Sequence, residues 1–169
     1  YFGRDLLASP PFVRELAFVN PRSAIMGAGG SLIVADSGER RILGLDATGN
    51  LRFIVAGERR RGGFYNGRIL GFDSAGRFYV DDTVMDIAST NPARRQVLRF
   101  SSSGHLLGVV DSFDFKGEEM EDWESHPAYA QIRNDDLVWF KKGGDGVWTL
   151  RRTPLVTGGP IAVTRMEGV

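Results

Sequence analysis

Hydrophobic positions along this chain come in short bursts of Val, Ile, Leu, Phe, Tyr and Trp, broken at close intervals by Gly, Asp and Asn. Runs of about 4 to 6 such residues between turn formers are the mark of β-strands, and they leave no room for a helix of useful length. The pattern predicts strands at Arg22 to Met26, Ser31 to Ala35, Arg41 to Leu45 and Leu51 to Val55. A second set follows at Arg68 to Phe72, Arg77 to Asp81, Gln96 to Phe100 and His105 to Val110. A third set falls at Tyr129 to Arg133, Leu137 to Phe140 and Gly146 to Arg151, with its outer strand between Thr153 and Thr164. Before the first set, Val13 to Asn20 is strand-like, and Pro10 and Pro11 break any helix ahead of it.

The sets are copies of one another. Gly30, Leu32 and Asp36 match Gly76, Phe78 and Asp82 at an offset of 46, whereas Ile42, Gly49 and Leu51 match Val97, Gly104 and Leu106 at 55. The difference is a nine-residue insertion near Thr83 to Asn91. A third, weaker copy at an offset of 105 pairs Leu32, Ile33 and Val34 with Leu137, Val138 and Trp139, and Ile42 and Leu43 with Val147 and Trp148. A unit of about 45 residues with four strands is one propeller blade, because a small twisted sheet buries both faces only when neighbours stack on it. The expected fold is therefore all-β: a partial β-propeller arc of about three four-stranded antiparallel blades. Residues 1–20 would be the tail of a preceding blade or a lead-in segment, 21–56 the first blade and 68–111 the second. An acidic linker would fill 112–128, and 129–169 would hold the third blade and the start of the next.

Leu32-Ile33-Val34-Ala35-Asp36-Ser37-Gly38, followed by Arg40-Arg41-Ile42 and by Asp46-Ala47-Thr48-Gly49-Asn50-Leu51, resembles the NHL repeat: a strand ending in Ala-Asp-Ser, a short basic turn, then an Asp-x-x-Gly hairpin. The second copy resembles it through Phe78 to Asp82 and Ser103 to Leu106 but departs where the insertion replaces the short turn. The resemblance spans about residues 24–110. Tryptophan-aspartate, kelch and sialidase-type repeats fit less well, since the chain has only the reversed Asp122-Trp123, irregularly spaced Gly-Gly pairs, and an Asp145-Gly146 that are adjacent.

The resemblance implies that the first strand of each blade lines the central channel, with one face carrying the longer connections. On that face fall Ser37 to Arg40, the insertion through Arg94, Gly143 to Asp145, and the linkers Gly57 to Gly67 and Asp111 to Pro127. The other face is expected to hold only tight hairpins. Long loops on a rigid scaffold are where binding residues sit, so the candidate contacts are Arg40, Arg59, Arg60, Arg61, Phe64, Tyr65, Trp123 and His126. Three successive arginines suit a phosphate or an acidic partner, or else a solvated turn. Glu118, Glu119, Glu121, Asp122 and Glu124 around Trp123 suit a partner patch or a solvated loop, because no Asp-x-Asp-x-Asp calcium loop is present. Asp36, Asp81 and Asp82 end strands near the channel, and in NHL-like repeats such an Asp bonds backbone amides to close a turn.

Charge and composition narrow the classes. Lys plus Arg and Asp plus Glu are both 21, which argues against a nucleic-acid surface driven by bulk positive charge. With no cysteine there is neither a disulfide framework nor a thiolate zinc site. His105 and His126 lack zinc-motif spacing. Gly27-Ala28-Gly29-Gly30 precedes a strand, so it lacks the helix dipole of a nucleotide loop. No apolar run approaches the roughly 18 residues of a membrane span. The chain opens on Tyr1 without a signal-peptide pattern, so further blades or domains of the same polypeptide are expected. The compartment is open, with an extracytoplasmic or cell-envelope setting favoured. No catalytic residue, metal ligand or cofactor is assigned. The leading expectation is a non-catalytic module that binds or senses a protein or small molecule on the loop face. The alternative is a lactonase-like propeller hydrolase with a divalent metal in the channel, to which Asp73, Asn134 and the strand-end aspartates would contribute. A structural spacer is a third.

Overall fold

A computed structural model describes residues 2–5, 18–56, 64, 67–85, 92–114, 129–142, 147–156 and 162–166. The described residues form thirteen strands and one 3-10 turn, Ala28–Gly30, in three antiparallel sheets. In the first sheet, β2 (Pro21–Met26), β3 (Leu32–Asp36), β4 (Arg41–Leu45) and β5 (Leu51–Ala56) pair in chain order. In the second, β6 (Arg68–Phe72), β7 (Phe78–Met85), β8 (Pro92–Phe100) and β9 (Leu106–Asp114) do the same. The third holds β10 (Tyr129–Arg133), β11 (Asp136–Lys142), β12 (Trp148–Pro154) and β13 (Ala162–Met166). Each is an up-and-down meander of four strands, a blade.

One turn, built three times, sets much of the register. Asp46 to Asn50, Asp73 to Arg77 and Ser101 to His105 each join two strands. In each, the first residue's N–H donates to the carbonyl of the fifth, at 2.9, 3.0 and 2.9 Å. The glycine in fourth place donates back to the first carbonyl, at 3.0 Å in all three. That glycine has φ of 85°, 74° or 84°, a left-handed conformation that side chains resist. The leading Asp or Ser accepts from the fifth residue's N–H, at 2.9 Å for Asp46 and Asp73 and 3.1 Å for Ser101. The spacing of Asp or Ser to Gly that marks the repeat in sequence is therefore a hydrogen-bonding requirement of this hairpin.

Strand β7 shows why the runs are continuous rather than alternating. Phe78 and Val80 point into a core shared with the first blade, alongside Ile33, Ile42, Phe53, Val55 and Ile69. Tyr79 points the other way, into a core shared with the third blade, alongside Ala130, Leu137, Trp139 and Leu155. A middle blade buries both faces, so Phe78, Tyr79 and Val80 are all buried in succession.

Four segments differ from the sequence expectation. Strand β1 (Phe2–Asp5) pairs antiparallel with β5, adding a fifth strand to the outer edge of the first sheet. Of the strand-like Val13 to Asn20, residues 13–17 lie outside the described residues, and Phe18 to Asn20 form no strand. The insertion does not open into a loop where it is described: β7 runs on to Met85 and β8 starts at Pro92, with Thr83 opposite Arg95 and Val84 opposite Arg94. Ser112 to Asp114, placed in the acidic linker, instead extend β9 against β8. Thr83 and Val84 are good strand formers with partners in register, and local turn signals do not reveal how far such a ladder continues.

Candidate functional site

The first strands of the three blades, β2, β6 and β10, are neighbours, so together they make the wall that faces the axis. Two contacts fix their spacing. The Ile69 N–H donates to Ser23 Oγ at 2.9 Å, tying β6 to β2. On the other side Gly71, with φ 152°, lies so close to Ile132 that a Cβ there would sit 3.1 Å from the isoleucine Cβ. The missing side chain lets β6 and β10 approach. Arg68 then donates from Nη2 to the Ala130 carbonyl at 3.3 Å, across the same seam. Between β6 and β10 is a cavity of about 540 Å³ lined by Arg68, Ile69, Leu70, Ala130, Gln131 and Phe140.

Arg68 is held by a buried carboxylate. Asp81, 4% exposed, accepts from Arg95 through Nε to Oδ1 at 2.8 Å and through Nη2 to Oδ2 at 2.5 Å. Arg68 Nη2 adds a third bond to Oδ2 at 3.2 Å. The Arg95 guanidinium also lies 5.8 Å from the ring centroid of Trp139 in the next blade. Two arginines thus share one carboxylate, and the one that faces the cavity has a side chain 44% exposed.

The other carboxylates are committed to the scaffold. Asp36 accepts from the N–H of Asn20 at 2.8 Å and of Val19 at 3.2 Å, and from Arg41 Nη2 at 3.1 Å. Burial pushes its carboxyl up, but these donors outweigh burial and hold it below the usual carboxylate range. Asp73 is likewise pushed up by burial and brought lower by Tyr79 Oη, the Arg77 N–H and the Arg77 guanidinium. The Tyr79 bond is 2.7 Å, and burial together with that bond raises the phenol. Asp111 goes the other way: burial raises its carboxyl despite Arg151 at 3.2 Å, an ion pair that crosses from the second blade to the third. Asp136 pairs with Arg152, whose Nε lies 2.6 Å from Oδ2. Asp36 thus binds arginine and backbone amides, whereas Asp81 binds the side chains of two arginines.

Of the residues singled out in the sequence, Arg40 lies exposed in the turn between β3 and β4, at φ 52°. Phe64 is corrected: it is 1% exposed and packs against Phe100 with centroids 6.1 Å apart, so its ring belongs to the core between the first two blades and not to a surface. Arg59, Arg60, Arg61, Tyr65, Trp123 and His126 lie outside the described residues. Arg68, Gln131 and Phe140 were not singled out. Their signal was faint: Arg68 repeats Arg22 at the offset of 46, at the head of each first strand. The hairpin face also holds more than turns. A cleft of about 670 Å³ opens there between the first two blades, lined by Met26, Ser31, Arg52, Phe72 and Ser102 among others.

Stacked four-stranded antiparallel blades whose first strands adjoin define a β-propeller, here as a partial arc. No protein-family model and no curated protein matches this sequence. Among solved structures the chain is similar to a streptogramin B lyase, at a TM-score of 0.52 and 13% identity over 99% of this chain and 45% of that one. It is also similar to virginiamycin B lyase from Staphylococcus aureus, at a TM-score of 0.49 and 19% identity over 88% of this chain and 42% of that one. The chain spans less than half the length of either structure. At such identities the likeness concerns the fold.

Proposed function

We propose that this segment is a non-catalytic ligand- or protein-binding module of NHL-like blades within a longer propeller protein. Its ligand would reach the channel wall where the second and third blades meet. The observation that carries this reading is the commitment of the carboxylates. A hydrolytic metal in the channel needs oxygen ligands from several blades with lone pairs to spare. Asp73 already accepts from Tyr79, Arg77 and two turn amides. Asp36 and Asp81 each hold arginine. Loading a metal would break bonds that close turns and tie strands within a blade, whereas binding a ligand at the cavity breaks none.

The loop face remains part of the proposal, with Arg40, Arg59, Arg60, Arg61, Tyr65, Trp123 and His126 as candidate contacts for a protein partner. Two measurements on the complete protein test the reading. Metal analysis is expected to find no stoichiometric divalent ion; one per chain would favour a propeller enzyme of the hydrolase kind. Replacing Arg59, Arg60 and Arg61 together with Ala is expected to reduce partner recovery in a pull-down, and unchanged recovery would remove the basic linker from the binding surface.

A further inference from the structure

We infer that the cavity between β6 and β10 binds the carboxylate of a small organic acid with an apolar body, with Arg68 as the residue that meets the charge. The inference rests on the proposal that a ligand occupies this wall, and it names what that ligand carries.

A guanidinium has five N–H donors. Arg68 uses Nη2 alone, toward Asp81 Oδ2 at 3.2 Å and the Ala130 carbonyl at 3.3 Å. Its Nε–H and both Nη1–H have no acceptor among the described residues. Charge points the same way. Asp81 is met on both oxygens by Arg95, so a single negative charge faces two positive ones and the cluster keeps an excess positive charge on its cavity side. Arg95 is the more enclosed of the pair, its side chain 18% exposed against 44% for Arg68. The uncompensated charge therefore sits on the residue that lines the cavity.

Geometry fixes the rest. The two bonds from Nη2 hold the guanidinium across the seam between blades, so part of the ordering cost of binding has already been met by the fold. An anion placed here gains charge-assisted hydrogen bonds from a group partly shielded from water. Gln131 adds an amide able to donate or accept. Leu70, Ala130 and Phe140 offer apolar contact for the body of the ligand. Inorganic phosphate would satisfy the arginine but leave this apolar wall wet, whereas an acid with an aryl or alkyl body uses both.

The test uses phenylacetate and its neutral isostere phenylacetamide, titrated into the complete protein with backbone amide shifts as the readout. Phenylacetate is expected to shift Ile69, Leu70, Ala130 and Gln131 saturably, and to bind about tenfold or more tightly than phenylacetamide. In Arg68→Gln, which leaves Asp81 paired with Arg95, the two probes should bind alike. Equal binding of both probes at these residues in the parent would overturn the carboxylate assignment while leaving the cavity as a ligand site. Preference for phenylacetate that survives Arg68→Gln would also overturn it. If neither probe shifts these residues, the site itself falls.

Discussion

Phe53 and Phe78, from neighbouring blades, lie with ring centroids 6.0 Å apart and planes 11° from parallel. Phe100 extends the column, 5.0 Å from Phe78 at 10°, and Phe72 meets Phe78 edge-on at 6.4 Å. Phe78 is fully buried among them. Phe78→Ala removes the middle ring of a column that joins two sheets, and is expected to cost about 3–5 kcal/mol. Chemical denaturation of the complete protein reads this loss; a change below about 1 kcal/mol would mean that the blades do not share this core.

Two glycines in the same turn geometry separate backbone strain from packing. Gly49 and Gly104 have φ of 85° and 84°. A Cβ on Gly49 meets nothing within 4 Å, whereas one on Gly104 falls 2.5 Å from Phe53 Cδ2. Gly49→Ala is expected to cost only the left-handed penalty, about 1–2 kcal/mol. Gly104→Ala adds overpacking of about 1–3 kcal/mol against a ring already held by Phe78. Parallel melting curves check the difference, and equal losses would place Phe53 elsewhere.

Arg95 and Arg68 both hold Asp81 but with unequal structural weight. Arg95→Ala strips the bidentate partner from a buried carboxylate and is expected to cost about 2–4 kcal/mol. Arg68→Ala leaves that pair intact and removes two longer bonds, to Asp81 and to the Ala130 carbonyl, from a half-exposed side chain, for about 0–1 kcal/mol. Equilibrium unfolding of the two variants distinguishes them. The reverse order would mean that Arg68 serves the scaffold and is not spare for a ligand.

Stability should fall on acidification below about pH 4. Asp46, through Thr48, Asn50 and their bonds, is lowered to about 2, and Asp36 and Asp73 are also lowered. These groups stay ionised in the folded chain at a pH where the unfolded chain has taken up protons. Their contribution is therefore present above the unfolded value of 3.8 and is lost as pH falls through the folded values. Asp111 has the opposite sign: its raised carboxyl makes the folded chain take up the proton first, so acidification through that window is stabilising. Melting temperature against pH for the parent and Asp73→Asn checks this, with a shallower acid limb expected for the variant. An unchanged slope would remove Asp73 from the linkage.

How much of this was legible in sequence follows from the range of each interaction. Hairpins closed by Asp46 to Asn50 or Ser101 to His105 are local, and the repeat marked the strands around them within one or two residues in the first blade. The pairing of β1 with β5 spans some fifty positions and carries no turn to announce it. Phe64 stands beside Tyr65 and three arginines in sequence, so its burial against Phe100 is visible only once the blades stack. The Asp81 cluster draws on Arg68, Arg95 and Trp139, from three strands and two blades. Periodicity marked Arg68, Asp81 and Trp139 as strand but stopped at Gln96, one residue short of Arg95; which charges met was decided by how the strands and sheets were apposed.

The seam between β6 and β10 carries the candidate site, and its most direct test is the proximity of Gly71 to Ile132. A NOESY spectrum of the complete protein is predicted to show cross-peaks from the Gly71 α-protons to the Ile132 side chain, since a Cβ at Gly71 would lie 3.1 Å from the isoleucine Cβ. Their absence, with both resonances assigned, would mean that the two first strands do not adjoin and that no cavity forms beside Arg68.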